Sequence, residues 1–137
     1  MDAAENPIWR SSGLALSLAL GASTVGYLIY TADGHVAYQR MQSICPAFAS
    51  GDLQGGTREE RLAAFDNINC YCGTYEVRDN MVVHHVEAAS FPNSVGRDLV
   101  RTFTLSGDEL RVITSPTLVA GKIETVTLVF QRSLASR

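Results

Sequence analysis

From Tyr71 to Arg132 the chain alternates apolar and polar residues in run after run, with tight-turn dipeptides between the runs. A period of two marks half-buried strands. It predicts strands at Tyr71–Arg78, Met81–Ser90, Asp98–Ser106, Glu109–Ser115 and Lys122–Arg132. Asp79-Asn80 and Gly107-Asp108 read as turns between neighbours. Sequential hairpins of this kind build an antiparallel meander, and closing it into a barrel removes the exposed edges.

A two-residue turn fixes the register of its hairpin, and register decides which side chains share a face. The Asp79-Asn80 turn sets Tyr75 opposite His84 and Val77 opposite Val82. Tyr71, Tyr75, Val77, Val82, His84, Val86 and Ala88 then form the inner face. Thr74, Glu76, Arg78, His85 and Glu87 form the solvated one. The Gly107-Asp108 turn puts Leu99, Arg101, Phe103, Leu105, Leu110, Val112 and Thr114 together. His84 and Arg101 therefore point into apolar surroundings. A cation there is costly unless something pairs with it. The expected structure has either a satisfied polar cluster in its core or a cavity for a polar ligand.

The first half adds elements of other kinds. Val25 to Thr31 is β-branched and aromatic, as strands prefer. Asp33-Gly34 is a hairpin signal, and His35 to Ser43 is the returning strand. On that register Tyr30, Gln39 and Met41 are expected in the lumen, with Tyr38 and Arg40 on the opposite face. Thr57 and Glu60 form a capping box that opens a short helix, with Leu62, Phe65 and Ile68 as its apolar stripe. A short strand near Trp9 brings the total to eight strands and one helix. The expected fold is all-β and mainly antiparallel: an eight-stranded up-and-down barrel with one short helix.

Length and composition narrow the class. The chain has 137 residues, which suits one domain spanning 1–137, with residues 1–12 expected to be poorly ordered or a truncated first strand. It is 46% hydrophobic and 18% charged, as globular proteins are. A net charge of −3 leaves no basic footprint for nucleic acid. Cys45, Cys70 and Cys72 are an odd set that fits neither a disulfide framework nor a zinc site. They favour a reducing, cytoplasmic compartment. Secretion is the alternative, because Gly13 to Leu20 resembles the core of a signal peptide and Gly21-Ala22-Ser23 a cleavage site. Small residues dilute this run too much for a spanning helix. No nucleotide, nucleophile-elbow or metal-binding motif is present, so neither metal nor cofactor is expected.

The order of short motifs carries a resemblance. Leu20 to Tyr30, Thr31 to His35, Phe48 to Asp52 and Phe65-Asp66 are followed by Gly73 to Val77, His84 to Glu87, Phe91 to Gly96, Arg101 and Phe130 to Arg132. The string resembles the small lipocalin-like domain family, stand-alone β-barrels of the calycin type. The resemblance covers roughly Leu16 to Arg132 and makes Gly13 to Ser23 the approach to the second strand. It departs from the family at the start, where Trp9-Arg10 looks like the end of a shortened first strand. In such barrels a first-strand tryptophan stacks beneath a last-strand arginine, which implies a structural pair of Trp9 and Arg132.

Small barrels of this type often accompany secondary-metabolite pathways. The resemblance therefore implies binding of an apolar, polyketide- or terpenoid-like intermediate bearing an anionic or carbonyl group. Arg101 is the expected clamp; His84 and Tyr75 are expected to move protons. Tyr30, Gln39, Met41, Tyr71, Phe91, Asn93, Phe103 and Thr114 are the expected ligand contacts. The alternatives are a cofactor-free isomerase or cyclase using His84, Tyr75 and Arg101, and an accessory structural protein without a ligand. The expected partner is a small apolar metabolite, with no nucleic acid and no membrane. A homodimer stays open.

Overall fold

A computed structural model describes residues 8–14 and 24–133. The strands are β1 (Ile8–Leu14), β2 (Thr24–Tyr30), β3 (His35–Gln42), β4 (Ile68–Arg78), β5 (Met81–Ala89), β6 (Asp98–Ser106), β7 (Glu109–Thr114), β8 (Thr117–Val119), β9 (Lys122–Glu124) and β10 (Thr127–Arg132). One helix, α1 (Arg58–Asn67), precedes β4, and a 3₁₀ turn covers Pro92–Ser94. Eight strands close an antiparallel barrel in the order β1–β10–β7–β6–β5–β4–β3–β2, while β8 and β9 pair outside it. The all-β, eight-stranded expectation holds. The first strand closes the barrel: Trp9 to Leu14 run along β10, and Ile8 to Arg10 also pair with β2. The rest of the expected signal-like segment, residues 15–23, lies outside the described residues.

Turn chemistry explains most of the register. Arg78 pairs with Met81 across Asp79-Asn80, and Ser106 pairs with Glu109 across Gly107-Asp108. Tyr75 faces His84 and Arg101 faces Thr114, as expected. The first hairpin differs by one residue. Its loop is Ala32-Asp33-Gly34, three residues rather than two, closed by Thr31 N–H to His35 O at 2.9 Å. Gly34 sits at φ +95°, the left-handed position that such a loop needs. Tyr30 therefore pairs with Val36, and Leu28 with Tyr38. A one-residue slip exchanges the faces of a strand. The inward set is Leu28, Tyr30, Val36, Tyr38 and Arg40. Gln39 and Met41 alternate onto the outer face, which corrects their expected place in the lumen.

A bulge supplies a second correction. Cys72 pairs with Ala88 but Gly73 with Val86, so β5 carries one extra residue, Glu87. A bulge shifts the inward phase of its strand. Ala88, expected inside, is exposed. Gly73 allows this close approach: a Cβ there would stand 1.9 Å from the His85 carbonyl oxygen.

The tight turns that join barrel strands lie at one end, together with the start of β1 and the end of β10. Arg132 N–H bonds Asp108 O at 2.7 Å, and Ser133 N–H bonds Ile8 O at 2.9 Å, at this end. Trp9 is 2% exposed, and the Arg132 guanidinium carbon lies 4.5 Å from its ring centroid. This cation–π pair plugs the floor, and contributes about 0.5–2 kcal/mol. Trp9, Leu28, Tyr30, Val36, Tyr38, Val82, Leu110, Val112 and Phe130 form the core. The opposite end carries α1, the Pro92–Ser94 turn and the β8–β9 hairpin. Helix α1 has the expected capping box between Thr57 and Glu60 but buries no residue. Its Leu62 and Phe65 are exposed, so the expected stripe is not part of the core.

Candidate functional site

The lumen above the Trp9 floor is occupied first by a chain of hydrogen-bonded polar side chains. His84, on β5, is 2% exposed. Its Nε2 lies 2.7 Å from the Tyr30 hydroxyl of β2. Its Nδ1 lies 2.6 Å from the Tyr71 hydroxyl of β4. Burial, then the nearby Arg101 charge, pushes the imidazole pKa down to about 3. The ring is therefore neutral, with one donor and one acceptor nitrogen. Burial likewise raises Tyr30 well above its ordinary value and takes Tyr71 up to about 12. Arg101 opposes the rise at Tyr71 through its charge and as a hydrogen-bonding partner. An arginine can only donate, so the Tyr71 hydroxyl accepts from Arg101. The neutral imidazole donates to one of Tyr30 and Tyr71 and can accept from the other, as its tautomer sets.

Above this chain is a half-open cavity of about 140 Å³. Leu28, Val112, Val126, Leu128 and Phe130 supply apolar wall, and Thr117 and Val119 of β8 reach in from the open end. Arg40, Arg101, Asn69, Tyr71 and Thr114 supply polar groups. Tyr38 and Tyr71 stand side by side on β3 and β4, ring centroids 5.3 Å apart. Each has an arginine acting on its hydroxyl, Arg40 at Tyr38 and Arg101 at Tyr71. Arg40 is 7% exposed, and its Nε is buried with no hydrogen-bond partner. The geometry provides an apolar slot with two cations and several hydroxyls at one side.

The expected site residues divide accordingly. Tyr30, Tyr71, His84, Arg101 and Thr114 meet in or beneath the cavity. Thr114 Oγ1 also accepts from the Val126 N–H at 2.9 Å. Phe103 packs lower, against the core cluster. Tyr75 pairs with His84 in register, yet its hydroxyl donates to the Thr31 carbonyl at 2.9 Å. It points toward the tight-turn end, so the expected Tyr75–His84 contact is replaced by Tyr30 and Tyr71. Phe91 and Asn93 are exposed at the open end and do not line the cavity. Arg40 was missed on sequence grounds because the first hairpin was read one residue out of phase. Arg101 itself is only half-buried, nearer the opening than an interior cation.

His85 is separated from this site. It lies on the outer face, with Nδ1 2.6 Å from Asp98 and Nε2 3.2 Å from Glu76. These partners, the Asp98 hydrogen bond above all, raise its pKa. A second concavity, an open groove of about 560 Å³, crosses the outer face near Ile29, Gln39, Cys72 and Ala88. It is larger than the lumen but has no charged lining group among the described residues. Among the described residues no cluster of metal-ligating side chains exists, and no helix is long and apolar enough to cross a membrane.

Comparison with known proteins agrees with this architecture. The lipocalin-like domain family matches residues 9–133. The chain is 30% identical over 104 residues to the 4'-hydroxy-3'-methoxypropiophenone carrier protein ppsC of Aspergillus oryzae, covering 70% of this chain and 94% of the relative. Together they support ligand binding as the property of the barrel. The chain belongs to the lipocalin-like domain family.

Proposed function

We propose that the barrel binds a small, largely apolar metabolite bearing an anionic or carbonyl oxygen, and that it serves secondary-metabolite biosynthesis as a binding protein. The observation that carries this reading is the cavity with Arg40 and Arg101 set into an apolar wall. An apolar cavity of about 150 Å³ takes a benzene-sized guest. A lumen of about 140 Å³ thus suits one substituted ring better than a long acyl chain. The relative's cargo, by its name, is an aryl ketone with a phenol and a methoxy group. That class offers a flat apolar body and oxygens for the arginine forks.

Calorimetric titration with 4'-hydroxy-3'-methoxypropiophenone, beside a phenol and an aryl carboxylate, tests the proposal. Saturable binding at one site is expected, weakened about tenfold or more in Arg101→Met. No saturable binding of any of the three compounds overturns the reading. A large loss of melting temperature in Arg101→Met, with ligand affinity unchanged, supports the structural alternative instead.

The Arg101–Tyr71–His84–Tyr30 chain supports a second reading, a cofactor-free isomerase. Both imidazole nitrogens are occupied and the ring is held neutral. The group that can meet a guest carbonyl is therefore the Tyr71 hydroxyl, whose proton is free for the guest when Nδ1 carries the imidazole proton and donates to it. Turnover lost in Tyr71→Phe with affinity retained is the expected result on this reading. Turnover that survives Tyr71→Phe removes it.

A further inference from the structure

We infer that the cavity takes its guest as a delocalised organic monoanion, and that Arg40 is the residue that selects the ionised form. The inference rests on the binding reading above and specifies the chemistry of that site. Arg40 reaches the lumen from β3, 7% exposed. Its Nε is the buried side-chain atom without a partner among the described residues. It shares the cavity with Arg101, and among the described residues no aspartate or glutamate lines that cavity. The ion pairs among the described residues lie elsewhere, at Asp33, Glu76, Asp98, Asp108 and Glu109.

His84 escapes the penalty of burial by staying neutral. Arginine has no such escape, because it does not lose its proton in proteins. Two fixed cations therefore border a small apolar slot with no counter-charge among the described residues. A neutral guest leaves both uncompensated and further desolvates them. An acyl phenolate, enolate or aryl carboxylate supplies the missing charge and an acceptor for the Nε–H. An inorganic anion supplies the charge but nothing for Leu28, Val112, Leu128 and Phe130 to pack against.

The ionisable side chains around the guest do not imitate its titration. Tyr38 and Arg40 come from β3, Tyr71 from β4, His84 from β5 and Arg101 from β6, with Tyr30 of β2 below. Burial keeps the three tyrosines protonated beyond their ordinary range and His84 neutral. Strands β7 and β10 contribute Val112, Thr114, Leu128 and Phe130, and Asn69 is uncharged. The β8–β9 hairpin adds Lys122 and Glu124, of opposite sign, outside the lining.

The test uses the full chain with 4-hydroxyacetophenone and its methyl ether, 4-methoxyacetophenone. The ether is expected to bind about tenfold or more weakly, because it cannot ionise. Affinity for the phenol is expected to rise about tenfold per pH unit up to the phenol's own pKa and then level. The bound phenol should show phenolate absorbance at a pH where the free compound does not. Arg40→Met should lower phenolate affinity by about 10- to 100-fold, leave the ether unaffected and reduce the pH slope, with Arg40→Lys recovering part of the loss. Equal, pH-independent binding of phenol and ether overturns the inference and leaves the binding reading intact. Undiminished phenolate binding by a folded Arg40→Met also overturns it. Absence of binding by either compound overturns both. The pH and ether comparisons need only the natural chain, so they stand even if the variant does not fold.

Discussion

His84 is held in surroundings far from those of its free side chain. It sits between two tyrosine hydroxyls, 2.7 and 2.6 Å from its nitrogens. Its depressed pKa has a definite consequence for stability. Above about pH 6.5 the ring is neutral in both the folded and unfolded chain. As pH falls below that value the unfolded chain takes up a proton that the folded one refuses, so folding stability declines until the folded pKa near 3. The window corresponds to about 5 kcal/mol of lost stability, comparable with the whole margin of a small domain. His85 works in the opposite sense. Its pKa is raised by Asp98 and Glu76, so its contribution is present at low pH and fades as pH rises through the folded value. A histidine-selective NMR titration is expected to show His84 neutral at pH 5, with His85 titrating above its ordinary range. Protonation of His84 between pH 6 and 7 contradicts the buried chain. Replacing His84 with Leu strands two buried hydroxyls, at about 1–3 kcal/mol each. Tyr75→Phe should leave the His84 titration unmoved, because its hydroxyl bonds Thr31 instead. The sequence showed that a histidine points inward; it did not show which tyrosines meet it. Strand register places Tyr75 beside His84, yet side-chain direction takes the two hydroxyl groups apart.

At the scale of elements, hairpins whose two-residue turns carry Asp, Asn or Gly in a marked pattern were legible, and the others were not. Asp79-Asn80 and Gly107-Asp108 have one plausible pairing each, and the faces of β4 to β7 near them followed. Asp33-Gly34 invites the same reading, but Ala32 joins the loop, and the slip exchanged Gln39 and Met41 for Tyr38 and Arg40. The one local mark of the bulge is Gly73 itself, an isolated glycine within a strand pattern; it does not say which partner residue is the extra one. The β8–β9 hairpin was also missed. Its turn is Ala120-Gly121 with both φ positive, and Ala is a poor marker for that geometry. Two substitutions separate these elements. Gly73→Ala should be severely destabilising, since its Cβ meets the His85 carbonyl backbone; a normal thermal melt for that variant contradicts the register. Leu62→Lys, on the exposed face of α1, should shift stability by less than about 0.5 kcal/mol. A larger loss in denaturant titration would mean that α1 packs against more than the structure shows. The capping box of α1 was legible because it is local; the exposure of its apolar side chains depends on tertiary contacts that no local pattern reports.

The whole molecule is a barrel closed at one end and lined with polar groups toward the other. Closure depends on β1 pairing with both β2 and β10, and on Trp9 under Arg132. Trp9→Ala is expected to cost about 3–5 kcal/mol and Arg132→Met less, about 0.5–2 kcal/mol, in chemical denaturation. Similar losses for both contradict a plug built on the buried ring. With the floor closed, the lumen of about 140 Å³ competes with the outer groove of about 560 Å³ as the place for a ligand. Size favours the groove. Lesser openness and the two arginines favour the lumen, because burial and charge complementarity hold a ligand better than open area does. Leu128 lines the lumen and not the groove. The decisive measurement is the affinity of an acyl phenol for the natural chain and for a folded Leu128→Trp variant, whose indole fills the cavity. The account predicts saturable one-site binding to the natural chain and its loss in the variant. Undiminished binding by Leu128→Trp would place the ligand outside the barrel and contradict it.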